Sequence, residues 1–259
     1  MSFLDKIKTL LMPDLSNVKQ NNKPVIEKPV QEKPINKKPI VLPEVIVTPE
    51  KEDFSKGVVM IDNGHGEDTP GKCSPDKRIR EYAYTREIVE LLKPELEKAG
   101  IEYFIVTPEK RDVRLRTRVA RANKKYEEYK KQGKHAFFIS IHLNAAKNGI
   151  WYTARGWSGW TSKGQTQGDK LADCLYEAAH EILDPKKIQI RTDKWSDGDE
   201  DWESNFTVLA ETNCPACLTE NFFQDNKEDV EYLLSDEGKQ DIVKIHLEGI
   251  KKYIRKYCK

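Results

Sequence analysis

The sequence predicts an α/β fold: a single domain with a mixed, mostly parallel twisted sheet and helices on both faces, preceded by a Pro-rich disordered linker. Three observations lead there. From Gly57 onward, apolar runs of strand length alternate with longer amphipathic stretches, the pattern of a sheet wound with crossover helices. Polar clusters close three of those strands, where an open α/β sheet binds its ligand. The composition also changes at Gly57: all 14 Gly lie at or after it, and no aromatic residue occurs between Phe3 and Phe54.

Residues 1–12 place Phe3, Leu4, Ile7, Leu10 and Leu11 on one helical face. That predicts a short amphipathic helix able to dock on a partner or a membrane surface, with a frayed terminus as the plain alternative. Asp5, Lys6 and Lys8 interrupt the apolar positions, so the segment does not read as a signal peptide and synthesis in the cytoplasm is expected. Residues 13–55 follow, with Lys-Pro at Lys23-Pro24, Lys28-Pro29, Lys33-Pro34 and Lys38-Pro39. Proline locks φ and lacks an N–H, which favours extended chain, so this stretch is expected to be a semi-rigid spacer. A folded domain is expected over residues 56–259.

Within it, residues 58–62 read as a buried strand and residues 81–99 as a helix with Ile88, Leu91, Leu92 and Leu96 inward and Gly100 as its stop. Residues 101–106 read as a strand, 113–132 as a basic amphipathic helix, and 136–142 as a strongly apolar strand. Further strands are expected over 150–154, weakly over 208–210, and over 216–219. Helices are expected over 165–183 and 236–257.

The chain holds 44 Lys+Arg against 43 Asp+Glu, a net charge of +1. That balance argues against a nucleic-acid partner, because such proteins usually show a clear basic excess. No apolar run approaches the roughly 20 residues of a membrane-spanning helix. The five Cys are odd in number and irregularly spaced, which is no disulfide framework and suits synthesis in a reducing compartment.

The strand-end clusters are Asp62-Asn63-Gly64-His65-Gly66, Ser140-Ile141-His142-Leu143-Asn144 and Thr219-Glu220-Asn221. They occupy equivalent topological places, so His65, His142 and Glu220 can converge although far apart in sequence. Two neutral imidazoles and a carboxylate can bind zinc and leave one position for water. Taken singly, each His reads more readily as an ordinary structural residue, and it is the joint pattern that points to a metal. His180 and His246 read as ordinary helix residues and His135 as a turn residue.

At these residues the chain resembles the zinc-dependent N-acetylmuramoyl-L-alanine amidases of the Amidase_3 type. The likeness runs from about Val58 to Tyr253. It comprises Asp62 to Gly66, Glu81 opening the first long helix, Leu115, Arg118, Ala122 and Asn123, the strand end at His142, and Pro215, Leu218, Glu220, Phe223 and Asn226. Glu67 departs from a second Gly that is usual in the family, and Tyr84-Thr85 from a usual Leu-Asn. The resemblance implies one catalytic zinc ion held by His65, Glu81 and His142, with Glu220 as the catalytic carboxylate. Without it, Glu81 reads more readily as an acid favoured in a helix's first turn. It further implies peptidoglycan as the substrate and hydrolysis of the amide between N-acetylmuramic acid and L-alanine. The biological role expected is cell-wall lysis of the phage or prophage endolysin kind, with the protein reaching the wall after release. Two rivals are a zinc peptidase acting elsewhere on the stem peptide and a virion-attached wall-binding protein.

Other features carry less. Cys214-Pro215-Ala216-Cys217 has no second pair for a structural zinc and leads into a strand, so ordinary buried thiols are expected. Asp193–Glu203 fails the calcium-loop pattern, because Trp202 stands where Gly is required, and reads as a solvated loop. All five Trp fall between Trp151 and Trp202. The turn expected at Gly156-Trp157-Ser158-Gly159-Trp160 is a candidate substrate wall, with Trp151 the first candidate for plain core.

Overall fold

In the computed structural model, residues 52–147, 149–196 and 198–259 are described; the helix expected over residues 1–12, and the linker as far as residue 51, lie outside them. The described elements are β1 (Gly57–Asn63), α1 (Glu81–Ala99), β2 (Glu102–Ile105), α2 (Leu115–Lys131), β3 (His135–Asn144) and β4 (Ser158–Thr161). They continue with α3 (Gln167–Leu183), β5 (Trp202–Glu203), α4 (Thr207–Ala210), β6 (Ala216–Phe223), α5 (Lys227–Leu234) and α6 (Asp236–Tyr257).

The strands form one sheet in the order β2-β1-β3-β6-β4-β5. All neighbours run parallel except β4, which is antiparallel to β6. The sheet is therefore mixed and mostly parallel. Alternation along the strands feeds two apolar layers. Val59, Ile61, Phe137, Ile139 and Cys217 join the layer of α1, α3 and α6, which includes Ile88, Leu92, Leu175 and Ile250. Val58, Met60, Phe138 and Leu218 join the layer of α2 and α4, with Val119, Ala122 and Val208. Coverage of both faces explains why the central strands read as unbroken apolar runs. Each such fully buried side chain contributes roughly 1.5–3 kcal/mol.

The helix ends follow their side chains. Gly100 closes α1 in the left-handed conformation at φ 73°. Thr166 and Asp169 form a reciprocal capping box at the start of α3. Asn226 caps α5 by accepting from the Glu228 and Asp229 N–H groups, a signal that the sequence carried and that marks a helix not expected there. No helix among the described residues is long and apolar enough to cross a membrane.

Several expectations need correction. Residues 150–154 form no strand; Ile150 and Tyr152 are exposed, and the strand lies further on as β4. Residues 208–210 belong to the short helix α4. His135 opens β3. The expected turn at Gly156–Trp160 largely becomes β4, and Trp157, not Trp151, is the fully buried tryptophan. Its Nε1 donates to Asn221 Oδ1 at 2.9 Å. The acidic stretch is only partly solvated: Asp201 is buried, accepts from Thr161 Oγ1, and has its carboxyl pushed up to about 8 by burial. Cys214 and Cys217 are buried free thiols, as expected. The core also takes in Phe54, just ahead of the expected domain start at residue 56.

Candidate metal centre

β1, β3 and β6 lie side by side and parallel, so their carboxyl ends open on one edge of the sheet. On the rungs there, Asp62 pairs with Ser140, and His142 pairs with Glu220. Period-2 alternation then puts Asp62, Ser140, His142 and Glu220 on the α2 side, continuing the rows of Met60, Phe138 and Leu218.

His65 leaves the end of β1 in the left-handed conformation, at φ 52°. The sharp turn is thus made by the histidine, not by its flanking glycines. Those are needed for space: a Cβ on Gly64 would lie 2.7 Å from His142 Nδ1, and one on Gly66 1.9 Å from the Asp112 backbone nitrogen. Glu81 arrives from the opposite layer as the first residue of α1 and is fully buried.

The sequence-predicted ligands converge. One ligand atom from each of His65, Glu81 and His142 lies within 4.8 Å of the others, and theirs is the one such group found among the described residues. Glu81 Oε1 sits 3.0 Å from His142 Nδ1 and 3.6 Å from His65 Nε2. The same oxygen accepts the Leu143 N–H, while Oε2 accepts from Gln224 Nε2 at 3.0 Å. The donor set of two imidazoles and a carboxylate suits zinc.

Protonation favours ligation at two of the three. Burial pushes the His65 imidazole down to about 4, leaving it neutral near pH 7. Burial alone would raise Glu81, but the hydrogen bond and charge of His142, the charge of His65 and the Leu143 N–H hold it below its ordinary value. His142 is displaced upward despite its burial, because it answers the Glu81 carboxylate. A bound cation would take over that role.

Glu220 stands beside this cluster. Burial pushes its carboxyl up to about 7, with the Glu81 charge adding to the rise and the His142 imidazole opposing it. Its Oε2 is buried and has no hydrogen-bond partner among the described residues. A buried carboxylate oxygen without a partner, beside two imidazoles and a second carboxylate, is suited to a water or a cation. The cleft above has a volume of about 1000 Å³, and its walls include Lys72, Arg114, Leu115, Phe206 and Glu220.

Among the residues that contribute here, Gln224 was not singled out from sequence. Gln224 reaches Glu81 because β6 carries an extra residue: Asn144 pairs with Phe223 although His142 pairs with Glu220, and Phe222 absorbs the bulge at φ 70°. Asn221 donates to the His142 carbonyl and to Thr219 Oγ1, which contacts His246 Nε2 at 3.0 Å. Arg118 pairs with Asp62 and Asp112, and Asn123 bonds Glu211 and Asn213. These two motif residues thus brace the site without entering the cluster. His180 lies apart, between Asp184 and Glu200.

With this geometry in place, comparison with known proteins is direct. The family described as N-acetylmuramoyl-L-alanine amidase matches residues 59–252. An endolysin of Bacillus phage SPP1 is 29% identical over 198 residues, covering 74% of this chain and 64% of that protein. The amidase CwlM of Bacillus licheniformis is 27% identical over 194 residues, covering 74% of this chain and 66% of that protein. The matched stretch thus spans just under two thirds of each relative. A solved N-acetylmuramoyl-L-alanine amidase from Clostridium difficile 630 superposes with a TM-score of 0.64 at 25% identity, covering 78% of this chain and 99% of that one.

Proposed function

The chain belongs to the N-acetylmuramoyl-L-alanine amidase family of the Amidase_3 type, and from that premise we propose that it hydrolyses the amide between N-acetylmuramic acid and L-alanine in peptidoglycan. The observation that carries the reading is the meeting of His65, Glu81 and His142 within 4.8 Å, with Glu220 on the next strand of the same rung.

In this reading His65, Glu81 and His142 hold one zinc ion. When bound, zinc supplies a Lewis acid for the scissile carbonyl and lowers the pKa of water toward about 7. Glu220 does the proton work. Its carboxylate takes a proton from the attacking water, and the acid so formed delivers it to the departing L-alanine nitrogen. Burial raises this carboxyl from its ordinary value, the direction that suits a group that takes and then returns a proton. The Leu143 N–H and the Gln224 amide fix the orientation of the Glu81 carboxylate. Leu115 and Phe206 offer apolar surface on the cleft for sugar or peptide.

The endolysin relative supports a lytic role at the cell wall. Docking through residues 1–12 on a partner or membrane surface belongs to the same proposal.

Digestion of purified sacculi with and without a chelator, followed by mass analysis of the products, tests this reading. Stem peptides beginning with free L-alanine, lost on chelation and restored by zinc, are expected. Products cut within the stem peptide would instead mark a peptidase, and wall binding without products a non-catalytic protein.

A further inference from the structure

We propose that Ser140 and Asp62 form a hydroxyl–carboxylate relay that fixes the tautomer and tilt of His142, so that Nδ1 is the nitrogen offered to a divalent cation. The inference rests on the reading of His142 as a metal ligand and goes beyond it by naming positioning residues.

The two ring nitrogens of His142 face different surroundings. Nδ1 lies 3.0 Å from Glu81 Oε1, the oxygen that is also 3.6 Å from His65 Nε2, so this nitrogen belongs to the ligand cluster. Nε2 lies 3.1 Å from Ser140 Oγ, two residues back on the same face of β3. A nitrogen that binds a cation must keep its lone pair, so the ring proton must sit on the other nitrogen and find an acceptor there.

Ser140 can be that acceptor only if its own hydrogen points elsewhere, and the structure provides the place. Ser140 Oγ donates to Asp62 Oδ2 at 2.8 Å. A carboxylate can only accept, so the serine hydrogen is committed to Asp62 and an oxygen lone pair is left for His142 Nε2–H. The order of donors is thereby set along the whole line, from His142 through Ser140 to Asp62.

The far end of the line is anchored. Arg118 Nη1 lies 3.1 Å from both Asp62 oxygens, and Thr107 Oγ1 donates to Oδ1 at 2.9 Å. Arg118 is itself held by the Val113 and Asn63 carbonyls and by Asp112. Asp62, Thr107 and Ser140 are buried, which limits competition from water for these bonds. The partner rows of β1 and β3 place Asp62 opposite Ser140 on the sheet.

The experiment measures zinc affinity by chelator competition in the full chain, for the wild type, Ser140→Ala and Ser140→Thr. Ring-nitrogen NMR of His142 in the zinc-loaded wild type gives the tautomer without any substitution. The relay predicts a proton on Nε2 and metal on Nδ1. Ser140→Ala should weaken zinc binding about 10–100-fold, the usual effect of removing a ligand's outer partner. Ser140→Thr, which keeps the hydroxyl, should bind more tightly than Ser140→Ala. Metal on Nε2, wild-type affinity in Ser140→Ala, or equal weakening in both variants would overturn the relay alone. A wild-type chain that binds no zinc would overturn the metal reading and the relay with it.

Discussion

Glu220 and His142 are register partners on adjacent parallel strands, so the proposed base and one proposed ligand share a rung of the sheet. Their separation is set by the ladder, not by a mobile loop. Moving either strand by one residue would turn its side chain to the opposite face. The chemistry is therefore tied to the register of β3 and β6, and Asn221 reinforces it by donating to the His142 carbonyl.

The first prediction separates binding from proton transfer. Glu220→Gln keeps the shape but cannot accept a proton. It should retain zinc while turnover on soluble muropeptides falls roughly 10²–10⁴-fold, the range for a general base. Turnover close to wild type, at full zinc content, would remove Glu220 from that role.

The second concerns the ligands. The purified chain should carry about one zinc, and His65→Ala, Glu81→Ala and His142→Ala should each lose metal and activity together. Glu81→Ala should also cost stability in the apo protein, because the buried Leu143 N–H and Gln224 amide lose their acceptor. A lost partner of this kind costs about 1–3 kcal/mol for each group. Metal analysis decides: full zinc in any variant excludes that residue as a ligand.

How much of this was legible in the sequence depends on whether a residue's role is local. The apolar run of β1 and the polar residues at its end could be read directly, because burial on both faces leaves no other pattern. Glu81 could not: an acid in a helix's first turn looks the same whether it serves the helix dipole or a metal. Only the order of motifs around it pointed further. Gln224 was invisible because its reach to Glu81 depends on the bulge at Phe222, which nothing local announces. Gly159 misled in the other direction. It reads as a turn signal, yet it lies within β4, where a Cβ would come 3.0 Å from the Tyr176 ring. Residues 150–154 have strand-like composition, but β6 already pairs with β3 and β4 on its two sides.

The third prediction follows from that misreading. Trp157 is fully buried, lies edge-on to Tyr176 at 5.0 Å and bonds Asn221. Trp157→Ala should therefore destabilise the fold by about 3–5 kcal/mol. Trp160 is half-buried and stacks near Trp202 and Phe206, with Phe206 lining the cleft. Trp160→Ala should cost less stability and should slow hydrolysis of sacculi. Comparable melting shifts for the two variants would contradict the assignment of Trp157 to the core.

The fourth concerns acid. Burial depresses the His246 imidazole to about 4 in the fold, against about 6.5 in an unfolded chain. As pH falls through about 6.5 the unfolded chain binds a proton that the folded one refuses. The neutral-His246 contribution is thus intact above about pH 6.5 and lost as pH falls toward 4, by up to roughly 3 kcal/mol. His246→Gln should flatten that limb in denaturant titrations across this range. Parallel losses in wild type and variant would show that other groups govern acid sensitivity.

The last prediction places the start of the folded unit. Phe54 is buried in the core, and the Gly57 N–H donates to its carbonyl at 3.1 Å. Glu52 pairs with Arg255 near the end of α6, and Arg255 also lies 5.6 Å from the Phe54 ring. The exposed ion pair contributes little, whereas losing a buried phenylalanine costs about 3–5 kcal/mol. A chain beginning at residue 52 should match the full-length protein in thermal midpoint and in activity on soluble muropeptides. One beginning at residue 56 should melt lower, by the amount that Phe54→Ala produces in the full chain. Equal midpoints for the two truncations would show that Phe54 fills no necessary space, and would return the boundary to residue 56.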